Sequence, residues 1–234
     1  MHQVVVYPDG KIKVEEVPTP QLKSNGILVR NSASVVSAGT ERMRVEFAQK
    51  TLIGKAMERK DQVKLLLENI RREGILATYR KVKQELSTPL TLGYSCAGKV
   101  VEVGSDVDDI KPGDKVACGG VTANHAEFVF VPKNLCVKIP DGVNYEEAAF
   151  ATIGAIAMQG IRQLSPVIGD KICIIGLGLI GLLTVQILKS CGNYVVGVDI
   201  DEFKLNLAKT LGADEAILPE EVTSIAKSLS LIHI

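Results

Sequence analysis

Three glycines and one acid carry the clearest chemical signal in this chain. Gly176, Gly178 and Gly181 fall at G-x-G-x-x-G spacing within K-I-C-I-I-G-L-G-L-I-G, and Asp199 closes the later stretch Y-V-V-G-V-D. Each glycine has a mechanical task. Gly176 lets the chain turn sharply out of a strand, Gly178 leaves no Cβ in the way of a pyrophosphate, and Gly181 lets the next helix lie close to the sheet. A helix opening at this point offers free N–H groups and partial positive charge to phosphates. Asp199 is placed to accept hydrogen bonds from a ribose diol. Gly176, Leu177, Gly178, Leu179, Ile180, Gly181 and Asp199 therefore read as a dinucleotide site. A lone G-x-G-x-x-G is weak evidence. Here a strand precedes it, a helix follows, and an acid ends the next strand, which is the context the fingerprint requires. The plainer alternative is a glycine-rich turn without a ligand.

The elements that position these residues follow from apolar periodicity. Residues 171–175 form a short β-rich run, 179–190 carry a helical apolar face with Gly192 as the stop, and 194–198 read as a second strand. The pattern repeats once: a helix over 202–211 stopped by Gly212, a strand over 215–218, and a helix opened by Pro219. A doubly wound dinucleotide domain needs two βαβαβ halves. Only the first fits, so the chain is expected to be incomplete. The apolar tail 229–234 is expected to be a cloning or sequencing read-through rather than a domain end.

The first part of the chain reads differently. Strands are expected at 4–7, 11–17 and 27–36, from Leu92 into K-V-V-E-V-G, beyond the turn K-P-G-D-K-V, and at 126–131 and 136–139, with breaks such as Pro8-Asp9-Gly10. Many short strands with Gly and Pro turns point to a barrel or sandwich. Residues 42–86 interrupt it with helical spacing and a run of bases: Arg59, Lys60, Lys64, Arg71, Arg72, Arg80, Lys81 and Lys83. A solvated helix face is the plainer reading of such a run; a lid or a site for an anionic substrate is the sharper one. Asn144 is expected to cap a bridging helix with Glu146 and Glu147 in its first turn, running through Ala155 toward Leu164. The domain boundary falls near Tyr145, giving 1–144 and 145–234.

Composition excludes several classes. The 27 basic and 27 acidic side chains cancel, which removes any global pull toward nucleic acid or anionic membrane. Aromatics are 4% and Trp is absent, so stacking platforms for single strands are not expected. No signal peptide and no apolar run of bilayer length is evident. Five scattered cysteines suggest reduced thiols in a cytoplasm, mostly as small buried hydrophobes. The expected partner is a small-molecule substrate, with a homo-oligomer left open.

The order of parts, a β domain, a bridging helix and a dinucleotide unit, resembles the medium-chain dehydrogenase/reductase family of alcohol dehydrogenases. G-Y-S-C-A-G-K-V-V-E-V-G, K-P-G-D-K-V, A-E-F-V-F-V-P, P-D-G-V-N-Y-E-E-A-A and L-A-K-T-L-G-A-D look like its landmarks. The resemblance implies a GroES-like β-barrel with a helical insert at 42–86, then an incomplete Rossmann doubly wound domain. The S-A-G-T-E-R-M start and the basic insert are similar to the N-terminal part of two-module oxidoreductases, whose second module resembles glucose–fructose oxidoreductases and inositol dehydrogenases. Family members with zinc show C-x-[ST]-D; here those positions hold Ala38, Thr40 and Glu41. Their G-H-E becomes Gly93-Tyr94-Ser95, and the bridging helix near Ala151 and Thr152 has no Cys. The four-cysteine structural loop is also missing. No zinc is therefore expected.

Four polar groups remain for catalysis. Thr40 stands where zinc-containing relatives carry a proton-relay hydroxyl, while Glu41, Tyr94 and His125 share the same domain. A Tyr or His can supply the acid that metal-free hydride transfer needs. The plainer readings are a first-turn acid for Glu41, a pocket filler for Tyr94 and a strand-entry histidine for His125. The coenzyme is expected to be NAD(H) rather than NADP(H). Asp199 would repel a 2′-phosphate, and Ile200 offers no Arg or Ser beside it. Lys204, at a family position that reaches the same ribose, softens that preference. The expected activity is hydride transfer between nicotinamide and a carbonyl, alcohol or activated alkene. The alternative is a non-catalytic dinucleotide-binding module of a larger protein.

Overall fold

The computed structural model describes residues 1–49, Gly74, 88–223 and 232–233. The basic run from Arg59 to Lys83 lies outside them. Two compact units divide the chain, Met1–Phe150 and Ala151–Ile234.

In the first unit, β1 (His2–Val6) lies between β2 (Ile12–Glu16) and β4 (Leu90–Thr91) in an antiparallel sheet. A second antiparallel sheet has the order β7-β3-β5-β6-β8, with β3 at Gly26–Ser34, β5 at Ser95–Val103, β6 at Lys115–Gly119, β7 at Phe128–Pro132 and β8 at Cys136–Lys138. Alternation sends Ile27, Val29, Val116, Val129 and Val131 into one core. A single segment clips the two sheets together. The His125 N–H donates to the Leu92 carbonyl and its carbonyl accepts from the Val4 N–H, each at 2.8 Å, while Gln3 bridges Ala126.

Helix α1 (Ala38–Gln49) starts just beyond β3. Cys118 looks isolated in the sequence but has Cys96 and Cys136 as direct cross-strand partners. A hydrogen bond with Cys96, together with burial, pushes the Cys118 thiol far above the ordinary thiol range. It therefore packs as a neutral group.

The expected Asn144 cap is present as a full capping box: the Glu147 N–H donates to Asn144 Oδ1 and the Asn144 N–H to Glu147 Oε2. The helix does not run on, as the sequence suggested. It stops as α2 (Tyr145–Ala148) and restarts as α3 (Ala151–Leu164). At the break, the Ser95 hydroxyl donates to the Ala149 carbonyl at 2.5 Å, taking an acceptor that a continuous helix would use.

The second unit is built on a parallel sheet of order β11-β10-β9-β12. Its strands are β9 (Lys171–Ile175), β10 (Tyr194–Val198), β11 (Glu215–Ile217) and β12 (Ile232–His233). Helices α4 (Leu179–Ser190) and α5 (Glu202–Thr210) follow β9 and β10. Ile161 of α3, Ile172 and Ile174 of β9, Val185 and Leu188 of α4, and Leu205 and Ala208 of α5 form one core. Cys173, Val196 and Val198 point to the opposite face of the sheet. Ile232 and His233 pair in parallel with Ile172 and Cys173, so β9 has neighbours on both sides.

Candidate active site

In the second unit the glycine loop has the geometry its spacing implies. The Gly176 N–H donates to the Val198 carbonyl at 2.8 Å, turning the chain off β9 at a positive φ of 93°. A Cβ on Gly178 would meet nothing within 4 Å, whereas one on Gly181 would collide with the Gly176 carbonyl. The first therefore borders open space and the second sits at a close helix–strand contact. Gly178 is the N-cap of α4 and supplies no side-chain cap, which leaves the first-turn N–H groups around Leu179 and Ile180 available to an anion.

Asp199 is 9% exposed at the end of β10. It accepts from the Leu177 N–H at 2.8 Å, the Asp201 N–H at 3.0 Å and Lys204 Nζ at 3.4 Å. Burial pushes its carboxyl upward, but the Leu177 and Asp201 N–H groups and the Lys204 ammonium outweigh that, and the net shift is downward. Oδ1 takes both the Asp201 N–H and Lys204, whereas Oδ2 takes the Leu177 N–H and keeps a further lone pair, so the carboxylate both ties down the loop and remains able to receive a hydroxyl. Leu177 is fully buried, so its part in the loop is its N–H rather than its side chain. Ile200, next to Asp199 in the chain, is 82% exposed and offers no polar side chain. This unit fits a dinucleotide.

In the first unit the fold brings Glu41 and His125 together across 84 residues. His125 Nε2 lies 3.1 Å from Glu41 Oε1 and 3.3 Å from Oε2, with both side chains only 11% exposed. Glu41 is held from the first turn of α1, where it reaches back to accept the Ser37 N–H at 3.0 Å. The positive end of the helix favours its charge. His125 is held by its two backbone bonds to β1 and the β4 end, and by Gly93. A Cβ at Gly93 would come within 2.9 Å of the His125 backbone nitrogen and ring, and φ is +89°. Gly93 therefore sets the close approach.

The other ring nitrogen, Nδ1, is 2.8 Å from the hydroxyl of Ser34 at the end of β3. Ser34 was missed in the sequence. Nothing distinguishes it within N-S-A-S, since its partner lies 91 residues away. Thr40 takes a hydrogen bond from the Ser37 hydroxyl at 3.3 Å. Among the described residues, neither Thr40 nor the half-buried Tyr94 hydrogen-bonds to this cluster through its side chain. Among the described residues, no three His, Cys, Asp or Glu side chains are placed to hold a metal ion.

Two family profiles match this chain: "Alcohol dehydrogenase GroES-like domain" over residues 63–141 and "Zinc-binding dehydrogenase" over residues 180–232. It belongs to the medium-chain dehydrogenase/reductase family. Among its relatives in that family, (R,R)-butanediol dehydrogenase of Bacillus subtilis is 30% identical over 54% of this chain and 44% of its own length. Sorbitol dehydrogenase of Mus musculus is 26% identical over 97% of this chain and 64% of its own length. The chain thus spans about half to two thirds of these proteins.

Solved structures agree in fold. Galactitol-1-phosphate dehydrogenase from Escherichia coli has a TM-score of 0.73 at 22% identity, covering 100% of this chain and 67% of that one. The Escherichia coli quinone oxidoreductase complexed with NADPH has a TM-score of 0.72 at 18% identity, covering 98% and 63%. No described helix is long and apolar enough to cross a membrane.

Proposed function

We propose that this protein is a nicotinamide-dependent oxidoreductase acting on alcohols or polyols and their carbonyl counterparts without zinc. The observation that carries the reading is the glycine loop: open space over Gly178, close packing at Gly181, and Asp199 at the end of β10. When bound, the coenzyme supplies the hydride acceptor or donor. The loop N–H groups hold its pyrophosphate, and Asp199 takes the ribose hydroxyls. The Asp199 charge repels a 2′-phosphate and so favours NAD(H) over NADP(H), a preference that Lys204, 3.4 Å from the carboxylate, softens.

The proton is handled by His125. Glu41 follows the family's first ligand position, which Ala38 fills here, and Tyr94 fills the histidine position. Among the described residues no donor set for zinc is assembled, and the paired imidazole and carboxylate give the domain an acid–base group that needs no metal. An ionised Glu41 only accepts, so Nε2 carries a proton in both charge states of the ring, and the exchangeable proton is the one at Nδ1. Substrate class comes from the relatives' names, a butanediol and a sorbitol dehydrogenase. Vicinal diols and polyols are therefore the first compounds to test.

The test is a screen of chelator-dialysed protein with NAD⁺ and NADP⁺ against such alcohols. Turnover with NAD⁺ preferred supports the proposal. Coenzyme binding with no turnover on any alcohol or the matching ketone supports the rival reading, a binding half of a two-module protein.

A further inference from the structure

Both nitrogens of the His125 ring are already occupied. Nε2 is on Glu41 at 3.1 Å and Nδ1 is on Ser34 Oγ at 2.8 Å. The ring is nearly covered, at 11% side-chain exposure, whereas Ser34 is exposed. A substrate oxygen cannot bond a ring nitrogen without displacing one of these partners. The exposed end of the chain Ser34–His125–Glu41 is the serine hydroxyl.

We propose that Ser34 is the catalytic residue that exchanges the proton with the reacting oxygen, on the reading that His125 is the acid–base group. With neutral His125, the Nε2–H donates to Glu41, so Nδ1 is the bare nitrogen and the Ser34 O–H donates to it. In alcohol oxidation the substrate O–H donates to Ser34 Oγ. Ser34 passes its own proton to Nδ1 as the substrate proton arrives. The C–H electron pair leaves as the hydride that the coenzyme accepts, and a C=O bond forms. The ring ends as an imidazolium between Ser34 and the Glu41 carboxylate, so charge separation is limited to adjacent groups. Reduction runs the same transfers backward: Nδ1–H gives its proton to Ser34 Oγ as Ser34 gives its own to the new alkoxide. Protons and electrons balance in both directions with no group beyond the coenzyme. A hydroxyl between imidazole and substrate costs little in rate because oxygen-to-nitrogen transfer along a formed hydrogen bond needs no rearrangement.

The experiment has one arm that needs no substrate. The chain has three histidines, His2, His125 and His233, so the ring-nitrogen resonances of His125 are assigned by their loss in His125→Asn. The expected spectrum shows a protonated Nε2 and a bare, hydrogen-bonded Nδ1. Ser34→Ala is expected to move Nδ1 toward a free nitrogen and leave Nε2 in place, and Ser34→Thr to restore it. A proton resident on Nδ1 in the neutral ring, or a spectrum unchanged in Ser34→Ala, overturns the proposal.

The second arm follows oxidation of sorbitol or 2,3-butanediol by NAD⁺. Ser34→Ala is expected to slow turnover about a hundredfold, the scale of lost acid–base assistance, with coenzyme affinity unchanged, and Ser34→Thr to recover most of it. If His125→Asn slows turnover and Ser34→Ala does not, Ser34 is not the exchange point and the wider function stands. If His125→Asn is itself without effect, the acid–base reading fails and this proposal fails with it.

Discussion

Replacing Gly178 by alanine separates the loop's structural role from its binding role. The new Cβ meets nothing within 4 Å, and the residue sits at φ −75° and ψ −167°, which alanine adopts freely. Alanine restricts the unfolded chain and so stabilises by about 0.4–1 kcal/mol. It is a somewhat poorer N-cap than glycine, which offsets part of that gain. The net effect on folding is close to zero, so Tm should move by no more than about 2 °C, given about 2–4 °C per kcal/mol at this size.

Binding should respond very differently. The methyl occupies the space over the loop, where a pyrophosphate approaches. Loss of one charge-assisted hydrogen bond costs about 1.5–3 kcal/mol, or about ten- to hundredfold in Kd. Gly181→Ala is the contrasting variant. Its Cβ strikes the Gly176 backbone carbonyl, which cannot rotate aside, and overpacking costs about 1–3 kcal/mol. That exceeds the gain of about 1 kcal/mol in helix propensity over most of its range, so Tm should fall by a few degrees. Thermal unfolding and fluorescence titration with NADH read both variants. Gly178→Ala binding NADH as tightly as the unaltered chain, with unchanged Tm, would refute the assignment of the loop to pyrophosphate.

Other outcomes follow from the same geometry. Asp199→Asn should weaken NADH by about ten- to hundredfold and NADPH much less, since the lost charge served the ribose hydroxyls and repelled a 2′-phosphate; equal losses for both coenzymes in paired titrations would contradict this. Asp214 feels burial most strongly, yet Lys189 and the Val195 N–H outweigh it and its carboxyl titrates below the usual range. Its folded value being depressed, its contribution is complete above about pH 4 and is lost as pH falls through the lower folded value. Acid unfolding of Asp214→Asn should therefore show a flatter pH dependence than the parent, and superimposable curves would rule this out. Gly93→Ala forces an L-residue to φ +89° and a Cβ against the His125 backbone, so at least about 2 kcal/mol should be lost in denaturant melts. Full stability there would mean that His125 is not held by that contact.

What was legible in the sequence was what short-range pattern can encode. The strand–glycine–helix run placed α4 at its observed bounds because turn, apolar face and stop all lie within 20 residues or so. The Asn144–Glu147 box was readable for the same reason. The split of the bridging helix was not, because it is set by Ser95, a hydroxyl 54 residues away. The strand at Ile232–His233 was not legible, because two residues have no periodicity of their own and only pairing with Ile172 and Cys173 defines them. Glu41 and His125 were singled out one at a time. Their contact depends on the sheet seam at Leu92 and Val4, and Ser34 enters through the same seam. Thr40 and Tyr94, singled out by family position alone, remain outside the cluster's side-chain hydrogen bonds among the described residues.

We propose metal-free hydride transfer with His125 as the acid–base group. It is tested most directly by comparing turnover of the chelator-treated protein and of His125→Asn at saturating NAD⁺, with zinc measured in the same samples. The expected result is turnover without stoichiometric zinc, falling about a hundredfold or more in a folded, coenzyme-binding His125→Asn. Activity that disappears on chelation and returns with one zinc per chain, or that survives His125→Asn intact, would contradict the account.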